Sequence, residues 1–173
     1  IGPLIDADAG EKVRRYVEIG RQEGTLAVAV EPPAALAEPP GRPVIGPHVF
    51  TDIQPDHRLA QEEVFGPVLA VMRAGSLEDA LRIANGVGYR LTGGLISRTP
   101  SHLEQARRDF LVGNLYLNRA IVGALVGRQP FGGFGLSGTG TQAGGADYLR
   151  HFVLPRACCE NTIRHGFAPG LES

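Results

Sequence analysis

PFGGFGLSGTG, residues 130–140, contains a literal G-x-G-x-x-G at Gly133, Gly135 and Gly138. Such a run either grips a pyrophosphate at the opening of a dinucleotide fold or joins elements through a tight backbone, and the two readings imply different folds. A dinucleotide fingerprint needs a strand just before it, a helix opening within it and an acidic residue about twenty positions later. Here Arg128-Gln129-Pro130-Phe131 precedes the run, TGTQAGG follows it, and Val153 stands where Asp or Glu belongs. A Walker loop fails as well, because Thr139 occupies the place of its lysine. The run reads as a connection, and its surroundings must decide the fold.

Working back from it, residues 119–145 are rich in glycine, with one apolar cluster, IVGALV (121–126). A long irregular stretch inside a compact domain is usually functional. Ahead of it the pattern is regular. NLYLN (114–118) reads as a strand, and Thr99-Pro100 opens a helix carrying Leu103, Ala106 and Phe110 inward and closed by Gly113. GGLISR (93–98) is a further strand. Ser76 and Asp79 form a capping box for a helix with Leu77, Ala80, Leu81 and Ala84 on one face, ended by Asn85-Gly86. VLAVMRA (68–74) precedes it as a short strand. Strand, helix, strand, helix, strand at this spacing predicts crossovers and a parallel sheet. Further back, Asp6 or Asp8 caps a helix with Val13, Tyr16 and Val17 on its apolar face and Gly24 as its stop. TLAVAV (25–30) is a strand, EPPAALAEPPGR (31–42) a surface loop, and PVIGPHVFTDI (43–53) extended. Beyond the glycine-rich stretch, a short helix near 146–151 leads into FVLPRACCEN (152–161) and a tail.

Composition narrows the function classes. The 173 residues are 43% hydrophobic and 20% charged, with a formal net charge of -1 and no long run of one sign. That pattern lacks a basic stripe for nucleic acid and a polybasic membrane patch, and no apolar stretch is long enough to span a bilayer. The expectation is a soluble, cytoplasmic domain. His48, His57, His102, His151 and His165 are scattered without metal-ligand spacing, so no metal site is expected. Ser137, in F-G-L-S-G, lacks the strand-elbow-helix context of a nucleophile and reads as a surface serine. Cys158 and Cys159 are adjacent and read first as small apolar residues of a strand, with a vicinal redox pair or a nucleophile as the alternative.

Three segments together carry a family likeness. QEEVFGPVLAV (61–71) resembles the E-E-x-F-G-P-V signature of the aldehyde dehydrogenase superfamily, and PFGGFGLSG resembles its P-F-G-G-x-x-x-S-G segment, placed after a G-N-x-x-x-N strand, here GNLYLN (113–118). The likeness runs from GPLID (2–6) to ENT (160–162). NRAIVGALVGRQPFGG (118–133) is most similar to the branch that oxidises glutamate γ-semialdehyde, 1-pyrroline-5-carboxylate dehydrogenase, which occurs alone or fused to proline dehydrogenase. The resemblance implies an α/β fold, a mostly parallel sheet flanked by helices, with loops gathered at the carboxyl ends of the strands. Residues 1–151 would form part of a catalytic domain, 152–161 a protruding strand for homo-oligomers, and 162–173 a C-terminal tail.

The same resemblance implies roles. Glu63 matches the carboxylate that accepts hydrogen bonds from the nicotinamide ribose, and Phe65 the ring beside the nicotinamide of NAD. Gly123 and Ala124 match the turn whose amides hold the substrate's α-carboxylate. Phe131 matches the aromatic residue flanking the substrate's aliphatic part. Two positions depart from the pattern: Val122 stands where a small hydroxyl residue is expected, and Gly135 where many relatives have Lys. The family's nucleophilic cysteine, base glutamate and oxyanion asparagine lie ahead of the segment that GPLID resembles, so the resemblance puts them upstream of Ile1. No catalytic residue is therefore assigned in this sequence, the chain alone is expected to be inactive, and NAD is expected to bind only together with the family's N-terminal half. An alternative is a non-catalytic, assembly-type aldehyde-dehydrogenase-like domain of a bifunctional proline-utilisation protein, which would have no need of Glu63, Phe65 or the 123–124 turn.

Overall fold

The computed structural model describes residues 1–33, 42–138 and 140–160. Most of the expected loop 31–42 and the tail 162–173 lie outside them. At the start, Ile1 is 79% exposed, and the Leu4 amide ties the GPLID segment down by donating to the Pro43 carbonyl at 2.9 Å. Helix α1, Ala7–Glu23, begins where expected: Asp6 is its N-cap and its carboxylate accepts from the Ala9 amide at 2.8 Å. Its stripe of Val13, Tyr16 and Val17 is buried, and it stops at Gly24. Strand β1, Thr25–Ala29, runs antiparallel to β2, His48–Thr51, with a bulge between Leu26 and Val28. Strand β3, Val68–Ala70, runs parallel to β2, so the order is β1-β2-β3. Alternation along β2 sends His48 and Phe50 inward. Phe50 and Ile53 meet Val13, Tyr16 and Val17 from α1, and Leu59 from the short helix α2, Arg58–Gln61, closes the cluster.

The second half is built from smaller pieces. Helix α3, Leu77–Asn85, begins with Ser76 Oγ accepting from the Asp79 amide at 3.1 Å, as the capping box requires. The Asp79 carboxylate reaches back one residue further than expected, to the Gly75 amide. Asn85 then joins two helix ends: its side chain donates to the Asp109 carbonyl at 2.7 Å and accepts from the Leu111 amide at 2.8 Å. Helix α4, Pro100–Asp109, buries Ala106 and ends at Phe110 rather than at Gly113. Phe110 packs over Gly93 of β5, which fixes the end of the helix. Strands β5, Thr92–Leu95, and β6, Asn114–Leu117, are parallel with α4 as their crossover. Strand β4, Tyr89–Arg90, pairs antiparallel with β7, Phe134–Gly135. A 3-10 helix spans Ala146–Phe152.

The mostly parallel sheet is therefore corrected. The described strands form three small sheets, two pairings parallel and two antiparallel, and β3 and β5 do not share a sheet. Local periodicity located each strand but could not choose its neighbour, because pairing is fixed by contacts distant in sequence. The expected strand 152–161 is not present as a paired strand among the described residues, where 153–160 is exposed and carries no strand pairing. Cys158 and Cys159 lie in this stretch, exposed and free, not buried in a strand.

Candidate cofactor and substrate site

The glycine run clips onto β4. Leu136 donates from its amide to the Gly88 carbonyl at 3.0 Å, and Ser137 Oγ accepts from the Arg90 amide at 3.0 Å. Ser137 is thus a partly buried structural acceptor, not a surface serine. The glycines let the backbone fold onto itself: a Cβ on Gly138 would stand 2.4 Å from the Gly133 carbonyl oxygen. No helix opens from the run, since the next helical element among the described residues starts at Ala146. At its near end, Asn114 ties the run to the start of β6, donating to the Pro130 carbonyl at 2.8 Å and accepting from the Gly132 amide at 3.1 Å. The expectation that the glycine-rich loops gather at carboxyl strand ends is therefore wrong for 130–133, which lies at the amino end of β6. Asn114 was not singled out from the sequence as more than part of a motif.

Glu63 and Phe65 sit between α2 and β3. Their neighbour Glu62 is held: its carboxylate takes two bonds from Arg58 at 3.0 Å each and accepts from the Tyr16 hydroxyl. The Arg58 bonds first, and the Tyr16 bond second, lower the Glu62 carboxyl to about 2. Glu63 differs, being exposed and making no hydrogen bond or ion pair among the described residues. Phe65 is 80% exposed and sits at φ 58°, a left-handed conformation that strains a bulky residue by roughly 1–3 kcal/mol. The next residue explains its direction. Gly66 lies flush on α1, where a Cβ would come within 2.3 Å of a Val13 methyl group, so the chain turns the ring at 65 away from the core. A free carboxylate and an exposed aromatic face two residues apart are suited to ribose hydroxyls and a flat heterocycle, so these residues fit the nicotinamide half of NAD.

The 118–131 segment starts at the end of β6 and folds back along it. Asn118, at φ 55°, accepts from the Ser97 amide at 2.8 Å and joins the ends of β5 and β6. Gly123 has φ 120°, which a side chain rarely adopts, and it lies beside the middle of β6, where the Tyr116 hydroxyl donates to its carbonyl at 2.5 Å. Leu125 and Gln129 then exchange backbone bonds at 3.0 and 2.7 Å, which returns the chain at 124 to the side of 130. Gly123, Ala124 and Phe131 thus flank one hairpin. Three further bonds anchor it: the Gly127 amide to the Gly144 carbonyl at 2.8 Å, and a reciprocal pair between Phe131 and Ala143 at 2.9 Å each. Phe131 is half-buried and lines a cavity of about 340 Å³ with Tyr148 and His151. Among the described residues no hydrogen bond, ion pair or ring contact joins Glu63 or Phe65 to this hairpin. Tyr116 and Arg119 were missed by sequence reading. Their signal lay in the segment GNLYLNR, where a tyrosine interrupts two leucines and an arginine stands two residues after the last strand residue, Leu117.

Comparison with known proteins finds relatives of this chain in sequence and in fold. A 1-pyrroline-5-carboxylate dehydrogenase of Geobacillus kaustophilus is 50% identical over 149 residues, 86% of this chain and 28% of that protein. The crystal structure of 1-pyrroline-5-carboxylate dehydrogenase from Thermus with bound NAD is 51% identical and superposes with a TM-score of 0.77, over 87% of this chain and 28% of that one. Proline utilization A (PutA) from Bdellovibrio bacteriovorus is 42% identical with a TM-score of 0.83, over 97% of this chain and 17% of that one. The chain thus spans little more than a quarter of the dehydrogenases it matches. The sequence profile of the aldehyde dehydrogenase family matches residues 1–157, and with the E-E-x-F-G-P-V and P-F-G-G segments placed as described, this chain belongs to that family.

Proposed function

We propose that this chain supplies the nicotinamide-side and substrate-anchoring segments of an NAD-dependent dehydrogenase that oxidises L-glutamate γ-semialdehyde to L-glutamate in proline catabolism. The observation that supports it most is the 51% identity to the NAD-bound Thermus enzyme, together with a Leu125–Gln129 hairpin that Gly123, Ala124 and Phe131 flank in sequence. Glu63 accepts the ribose hydroxyls as an acceptor-only carboxylate, and Phe65 covers one face of the nicotinamide. The amides of Gly123 and Ala124, which make no hydrogen bond among the described residues, hold the α-carboxylate, and Phe131 packs against the methylene carbons. NAD, when bound, supplies the hydride acceptor. The nucleophilic cysteine and base glutamate are contributed by protein upstream of Ile1. This chain's two cysteines, Cys158 and Cys159, are free and exposed in the unpaired stretch 153–160, and this reading gives them no part in the chemistry. NAD binding needs the upstream protein too, since the residues here reach only the nicotinamide half.

The same reading assigns the enzyme to the cytoplasm and its subunits to a homo-oligomer built through 152–161. The PutA match over nearly the whole chain supports a proline dehydrogenase domain in the same polypeptide. The test is the complete gene product supplied with 1-pyrroline-5-carboxylate and NAD, with NADH formation followed by absorbance. Turnover that prefers this substrate to uncharged aldehydes is the expected result. Equal or better turnover of uncharged aldehydes would overturn the substrate, and an inactive product would favour an assembly role. Residues 1–173 alone are expected to give neither turnover nor a calorimetric signal with NAD.

A further inference from the structure

We propose that Tyr116 and Arg119 are positioning residues that aim the Gly123 and Ala124 amides, and so set the enzyme's selectivity for aldehydes bearing a remote carboxylate. The inference rests on the substrate reading above. A trans peptide is planar, with its C=O and N–H pointing in opposite directions. The N–H of Gly123 belongs to the peptide whose carbonyl is that of Val122, and the N–H of Ala124 to the peptide whose carbonyl is that of Gly123. Both carbonyls are held from β6 and its immediate extension. The Tyr116 hydroxyl donates to the Gly123 oxygen at 2.5 Å, and the Arg119 guanidinium donates to the Val122 oxygen at 3.3 Å. Pulling two successive carbonyls toward β6 turns their two N–H groups away from it, as a pair.

The two donors support each other. The Arg119 guanidinium carbon lies 5.2 Å from the centre of the Tyr116 ring, a cation–π distance, which orients a side chain that is otherwise exposed. Tyr116 is itself 5% exposed and fixed in a strand whose register with β5 is set at Gly94. The rigid strand thereby controls a turn that contains Gly123 at φ 120°, where the backbone has the most freedom to move. The positive charge of Arg119 adds to the field at the turn, because its terminal nitrogen lies 3.5 Å from where a Gly123 Cβ would stand. Anion-binding turns work only when successive N–H groups converge, so freeing either carbonyl lets the pair diverge. Site groups must be held within about half an ångström of their working geometry, and these two side chains are the support that does so.

The test compares two aldehydes in the complete gene product. KM is measured for glutamate γ-semialdehyde and for butanal, which has no carboxylate, in the parent and in Tyr116→Phe and Arg119→Ala. Tyr116→Phe keeps the ring and its packing, and Arg119 is exposed, so folding is checked independently by the melting temperature. The expected result is a rise of about tenfold in the ratio of the semialdehyde KM to the butanal KM in Tyr116→Phe, and a smaller rise in Arg119→Ala. A ratio unchanged in both variants, or both KM values rising together, overturns the inference while leaving the substrate reading intact. A parent enzyme that shows no preference for the semialdehyde over butanal overturns the substrate reading, and this inference with it.

Discussion

Two adjacent glutamates in one dipeptide separate structure from chemistry. Glu62 is bound on two sides by Arg58 and Tyr16, whereas Glu63, one residue on, makes no bond among the described residues. Exposed carboxylates are common, but two residues on, Phe65 holds a left-handed backbone, an outlier of the kind that gathers at functional sites. Glu63→Gln keeps the shape and removes the charge that makes a ribose bond strong. The expected outcome is a KM for NAD raised about tenfold or more in the complete gene product, with a melting temperature within about 1–2 °C of the parent. A large loss of melting temperature with KM unchanged would assign Glu63 to the fold instead. The sequence made the E-E-x-F-G-P-V pattern visible but could not tell which glutamate was held. The residues that hold Glu62 lie four and forty-six positions before it, and only the second is invisible to local reading.

Helices announced themselves in the sequence through their own caps, which is why α1 and α3 begin where Asp6 and Ser76 stand. Helix α2 did not. It has four residues, His57 makes no side-chain cap, and its first amides are capped from outside: the Glu23 carboxylate, at the end of α1, accepts from Arg58 and Leu59 at 2.9 Å each. A cap supplied from thirty-five residues away leaves no trace in local pattern. Together with the Glu62 bonds to Arg58 and Tyr16, it locks α2 onto α1. This clamp has a pH signature. The Glu62 carboxyl is lowered to about 2 from an unfolded value near 4.5, so its contribution is complete above about 4.5 and is lost as pH falls toward 2. The melting temperature of Glu62→Gln should lie below that of the parent at pH 7, with the gap closing between pH 4.5 and 2. A gap that stays constant down to pH 2 would show that the charge of Glu62 does not hold the two helices together.

Small sheets and a modest core leave much of this chain's apolar surface uncovered. The main buried cluster holds six residues from α1, α2, β2 and the residue Ile53, while the β5–β6 pair is only two strands wide. Two-stranded sheets seldom stand alone in water, and this chain spans 28% of the length of the dehydrogenase it matches. The far end shows the same need most openly. Phe152, Val153 and Leu154 are 71%, 63% and 95% exposed, and Val153 has the extended backbone of a strand, with φ -128° and ψ 148°. Extended apolar backbone that pairs with nothing among the described residues is a template for an edge-to-edge contact, and in an isolated chain it is an aggregation hazard. The apolar pattern of 152–161 led to the expectation of a strand, yet 153–160 pairs with nothing among the described residues, and a strand's own residues do not encode whose edge it would join. On the proposed reading a second subunit is the partner, and the contact should then fail if its most exposed apolar side chain, Leu154, becomes charged. In the complete gene product, Leu154→Asp is expected to convert the oligomer measured by light scattering into smaller species, because burying an unpaired carboxylate costs several kcal/mol while Leu154 in solvent costs the free subunit little. An unchanged mass for Leu154→Asp at micromolar concentration would place the subunit contact elsewhere and leave 152–160 as surface.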